Sequence, residues 1–153
     1  MMVKAAESAN TSESGAVEVA TAFVRWIQRF PYPTADDAAK VGDAVLASES
    51  FTSNLPEYLA TSPDLSGGIV PAGTSYYMTT VPGVWYIESS GPSRVTVSVG
   101  SGYVIDGALS STLRSSIAVT LVLQVGRWKI ADAEGKRTPS DLYKIGHQFT
   151  GGC

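Results

Sequence analysis

The hydrophobic periodicity of this chain changes once, near residue 75, and no other feature constrains the fold as strongly. Before that point apolar residues recur at helical spacing. Val19, Phe23, Ile27 and Phe30 fall at i, i+4, i+8 and i+11, and Ala16, Ala20 and Val24 widen the stripe. After it they alternate. Val95, Val97 and Val99 are separated by Thr96 and Ser98, and Ile117, Val119, Leu121, Leu123 and Val125 share one parity. Helices followed by strands indicate an α+β fold rather than a parallel α/β sheet. The expectation is two or three N-terminal helices on an antiparallel sheet of four or more strands.

Local signals set the boundaries. A first helix is expected over residues 15–30, capped by Ser14, with Glu18 in the first turn where the helix dipole favours a carboxylate. Phe30-Pro31-Tyr32-Pro33 ends it, because proline lacks an N–H and disfavours helix in the residue before it. Thr34 with Asp37 three residues on has the form of a capping box and opens a second helix over residues 35–47. A short third helix over residues 55–60 carries Pro56 in its first turn. Residues 61–73 read as a loop. A strand over residues 75–88 is interrupted by Pro82-Gly83, a bend, bulge or edge signal. The next strand runs from residue 94 through a kink at Gly100-Ser101-Gly102 to Ile105. Gly126-Arg127 is expected to turn tightly into a last strand from Trp128 to Asp132. Residues 1–14 hold few large apolar side chains and are expected to form a disordered leader outside the core. The domain then spans residues 15–135, and residues 136–153 form a polar tail with a short helix near residues 140–145.

Composition removes several functions. The 153 residues carry a net charge of −3, and their densest basic cluster is Lys136-Arg137. A phosphate-backbone binder needs a concentrated basic face, so no nucleic-acid partner is expected. The one cysteine, Cys153, makes no internal disulfide. No apolar run approaches the ~18 residues of a membrane span, and Met1-Met2-Val3-Lys4 opens no apolar signal segment.

The amphipathic first helix, the second helix closed by small residues and the strands ending in a Gly-x-Trp-x-Ile hairpin together resemble the nuclear-transport-factor-like superfamily. Leu121-Val122-Leu123-Gln124-Val125-Gly126-Arg127-Trp128-Lys129-Ile130-Ala131-Asp132 is the most typical piece. The resemblance implies a cone-shaped α+β domain over residues 15–135. The Ser/Thr-rich, lysine-poor texture is similar to the extracytoplasmic domains of actinobacterial or Gram-positive conjugation proteins, which are assembly factors of type IV secretion systems. That branch implies a membrane helix before residue 1, an extracytoplasmic location and work in protein–protein assembly, by self-association as a dimer or trimer or with another envelope protein.

Candidate chemistry is sparse. His147 is the sole histidine and lies in the polar tail, without a Gly-x-Ser-x-Gly elbow anywhere in the chain. One His and one Cys make no tetrahedral metal set, and no cofactor motif occurs. The superfamily resemblance implies that an enzyme would place an acid or base with a Tyr donor inside the cone. The residues available are Asp106, Asp132 and Tyr103, for an isomerase- or hydratase-like proton transfer. Asp106, just before Gly107, reads rather as a turn residue, where Asp bonds its own backbone. Tyr76, Tyr77, Trp85 and Tyr86 are dense on one strand. They read either as cross-strand packing or as an exposed aromatic patch for a protein partner.

Overall fold

In the computed structural model, which describes residues 2–62 and 65–149, the two periodicities become helices packed on an antiparallel sheet. The elements are α1 (Met2–Ser8), α2 (Glu13–Ile27), α3 (Ala35–Val45), α4 (Leu55–Thr61), β1 (Tyr76–Ser90), β2 (Arg94–Ile105), β3 (Ala108–Gln124), β4 (Arg127–Glu134), α5 (Pro139–Ile145) and β5 (His147–Gln148). The sheet order is β4-β3-β2-β1-β5. The expected α+β class therefore holds. Cys153 lies outside the described residues.

The helix starts follow from their caps. Thr34 Oγ1 accepts from the Asp37 N–H at 3.2 Å, and the Asp37 carboxylate accepts from Trp26 Nε1 at 2.8 Å, which pins α3 to α2. The cap of α2 is Ser12 rather than Ser14, and α2 ends at Ile27, before Phe30. Phe30 instead exchanges backbone hydrogen bonds with Tyr76. The second helix stops at Val45, because Ala47 donates its N–H to Ile130 of β4 instead of continuing the helix.

Period 2 in the strands separates two faces. Val95, Val97 and Val99 of β2 pack with Val119, Leu121, Trp128 and Ile130 against Phe23, Val24 and Val41 of the helices. Phe23 is fully buried at the centre of this core. A smaller cluster joins Val70, Tyr76, Met78 and Tyr103. On the opposite face Gly100 admits α5. A Cβ there would lie 2.8 Å from Tyr143 Cε1 and from Val84 Cγ2, so no larger residue permits this approach.

Two tight turns use left-handed backbone. Asp106 and Gly107, at φ 51° and 80°, join β2 to β3, the Asp-Gly pair a two-residue hairpin favours. Val125 and Gly126, at φ 53° and 71°, join β3 to β4. The turn is therefore one residue earlier than Gly126-Arg127, and a β-branched residue occupies its first position.

The leader departs from expectation. Residues 2–8 are helical, with Met2 and Ala6 buried in the main core. Trp128 Nε1 donates to the Ser12 carbonyl at 3.0 Å and ties the leader's end to β4. The polar tail is also bound in: Leu142 of α5 is fully buried, and β5 pairs with Val84 and Trp85 of β1.

Candidate functional site

The sheet is uneven at one side, and a cleft follows from that. β4 pairs with β3 only from Gln124 back to Ala118, where Glu134 is its last partner. β3 continues beyond, with Ile117, Ser116, Ser115 and Arg114 paired only to β2 through Val99, Gly100, Ser101 and Gly102. A cavity of about 390 Å³ opens there. Its helix-side wall is Phe23, Ile27, Gln28, Phe51 and Tyr58, residues 65–67 and Ile69 form the loop-side wall, and Tyr103 is part of its lining.

All four residues 114–117 line this cavity. Side chains alternate between faces along a strand, so four consecutive lining residues mean the cavity runs along the strand edge. Beyond Arg114 the strand is irregular. Between Leu109 and Arg114, β3 bulges away from β2, and Arg114 Nη1 donates to the carbonyls of Ser110 and Leu113, both at 2.8 Å. Ser116 Oγ is buried and makes no hydrogen bond among the described residues. Gln28 is buried and gives one amide N–H to the Leu65 carbonyl at 3.3 Å. Glu134, at the mouth, is exposed.

The opposite face carries a charged clasp. Arg137 donates from Nε to Glu88 Oε2 at 2.6 Å and from Nη2 to Oε1 at 2.8 Å. Ser98 Oγ, on the adjacent strand, donates to the same carboxylate at 2.6 Å. The guanidinium also lies 5.3 Å from the Tyr86 ring centre. The bond to Arg137, aided by Ser98, holds the Glu88 carboxyl below its ordinary range against the opposing effect of burial. Nearby, burial pushes the Tyr143 hydroxyl up to about 12, and it donates to the Pro82 carbonyl at 3.1 Å.

The residues singled out from the sequence are not brought together. Asp106 is exposed at the β2–β3 turn, and Asp132 accepts at Oδ1 from the neighbouring Ala133 N–H at 2.9 Å. Of the three proton-transfer candidates only Tyr103 lines the cavity. Tyr76 is buried against Tyr103, ring centres 5.9 Å apart, and belongs to the core rather than to a surface patch. Trp85 is half-buried against the main core, with the His147 ring 4.7 Å away. Tyr86 is half-buried beside Arg137, while Tyr77 is 53% exposed. The cleft was missed because its edge depends on where β4 stops, which no local motif records.

Among the described residues no cluster of three or more His, Cys, Asp or Glu could hold a metal ion, and no helix is long and apolar enough to cross a membrane. No family model, curated protein or solved structure matches the chain.

Proposed function

We propose that the chain is a nuclear-transport-factor-like domain that works without catalysis, by contact with a protein partner or a second copy of itself, in the assembly of a cell-envelope conjugation or secretion apparatus. One observation carries the contact reading. Tyr77 on β1 and Leu109 on β3, 53% and 50% exposed, flank the buried Val104 of β2, and Val81, on the same strand as Tyr77, is 54% exposed. An apolar row of this kind, one of its members aromatic, suits a protein interface. The envelope setting rests on the resemblance of the sequence. Sedimentation across a concentration series tests the self-association form. The wild type should associate, and Tyr77→Lys and Leu109→Lys should shift it to monomer. A strictly monomeric wild type that captures no envelope component through this row would sink the reading.

The cavity favours a second reading, a small-molecule binding protein or isomerase-like enzyme, since about 390 Å³ lies within the size range of ligand pockets. Asp106 and Asp132 do not line it, and among its described lining residues the carboxylate is the exposed Glu134. A raised, apolar-walled carboxyl for proton transfer therefore has no candidate among those two aspartates.

A further inference from the structure

We infer that the cleft beside β3 is a strand-addition site, which takes an extended peptide segment of a partner protein and seats one of its apolar side chains in the cavity. The inference rests on the protein-contact reading but uses a different surface from the Tyr77 row.

Backbone geometry sets the class of ligand. In an antiparallel ladder successive residues direct their N–H and C=O groups alternately to the two neighbouring strands. Residues 114–117 have β2 on one side, and among the described residues no strand pairs with them on the other. Two of these four residues therefore direct N–H and C=O groups into the cleft. An extended chain satisfies such groups along its whole length, which a compact small molecule does not. Exposed strand edges are ordinarily blunted by bulges, charges or covering segments. β3 is blunted in that way on one side of this stretch, by its bulge and by the Arg114 guanidinium bound to the Ser110 and Leu113 carbonyls. On the other side β4 covers it. Within the stretch of β3 that β4 does not pair, residues 114–117 are the ones that line the cavity, beside residues 133–135 and Pro139.

The cavity sets the side chain. Ile27, Phe51, Leu65 and Ile117 give it an apolar wall. Strand addition gains affinity from main-chain hydrogen bonds and specificity from pockets for alternate side chains. A single pocket beside a four-residue edge fits a short segment with one large apolar residue flanked by small or polar ones. Ile69, on the far wall, is 40% exposed and so can be altered without emptying the core.

The test uses the full chain and a displayed library of random seven-residue peptides. Selected peptides should carry one large apolar residue. Methylating their amide nitrogens one at a time should weaken binding at least tenfold at alternate positions and leave the intervening ones near unchanged. Bound peptide should slow amide hydrogen exchange within residues 114–117, and Ile69→Glu should weaken binding at least tenfold. Tyr77→Lys should leave binding unchanged. Peptides that tolerate methylation at every amide, or that protect no amide in residues 114–117, would overturn the inference. If they instead lose binding in Tyr77→Lys, the protein-contact reading survives and the strand-addition site does not. A library that yields no binder, with a monomeric wild type, would sink both.

Discussion

Arg137 meets Glu88 with two parallel hydrogen bonds, Nε to Oε2 at 2.6 Å and Nη2 to Oε1 at 2.8 Å. The Glu88 side chain is 4% exposed, and the pair fastens the segment leading into α5 to the face of the sheet away from the other helices. A charge-assisted, bidentate contact is among the stronger polar contacts a protein makes. Removing Arg137 leaves the buried Glu88 carboxylate with the Ser98 hydroxyl but without its countercharge.

That clasp gives the stability a defined pH dependence. The folded-state pKa of Glu88 is lowered from its ordinary value of 4.5, with the Arg137 hydrogen bond as the largest cause. A depressed carboxyl contributes stability that is present above its unfolded pKa and is lost as pH falls through the folded one. Melting temperature should therefore fall as pH drops from about 5 towards 2, and Glu88→Gln should flatten part of that slope. Arg137→Ala should lower the melting temperature at pH 7 by roughly 2–4 °C or more. Thermal melts of the three proteins across that range check both statements.

Phe23 anchors the helices to the sheet. It is fully buried, and its ring centre lies 6.1 Å from those of Trp26 and Phe51. Phe23→Ala should destabilise the fold by about 3–5 kcal/mol, the transfer loss plus the cavity left behind. Urea denaturation followed by tryptophan fluorescence measures it. A loss below ~1 kcal/mol would mean that the site collapses around the gap.

The N-terminal helix contributes to the same core. Met2 is 3% exposed, and truncating a buried methionine costs about 2–5 kcal/mol. Deleting residues 1–8 should lower the melting temperature by more than ~4 °C. An unchanged melting temperature would show that α1 adds no net stability.

The β3–β4 turn is improvable. Val125 is 97% exposed at φ 53°, a conformation in which a β-branched residue is strained. It buries nothing that would offset the strain. Val125→Asn should stabilise the protein by about 1 kcal/mol, because asparagine tolerates left-handed backbone and suits the first position of this turn. The same urea titration reads the gain.

What the sequence discloses divides by range. The Thr34 cap of α3, the Asp106-Gly107 turn and the alternation of β2 are decided within a few residues and were legible, although the Asp37 carboxylate turns to Trp26 rather than back to the cap. Met2 is buried in a core built from α2, α3 and the distant strands β2, β3 and β4, so nothing local marks it and a segment of Ala, Ser and Glu read as a leader. Tyr76 and Tyr77 are adjacent and chemically identical, and period 2 sends them to opposite faces. Which face is covered depends on the distant loop and on α5, and Tyr76 is buried while Tyr77 is not. The cleft lies furthest from local signals, since it arises from the difference in length between β3 and β4.

The bond from Trp128 to the Ser12 carbonyl spans 116 positions of the chain. During synthesis Ser12 emerges well before Trp128 and the rest of β4, to which it is bound. Contacts of such separation form late, after the loops between them have closed. Until β4 is in place, the apolar side of α1 has only part of its seat. α1 and the cap of α2 are thus made well before the strand that completes their seat.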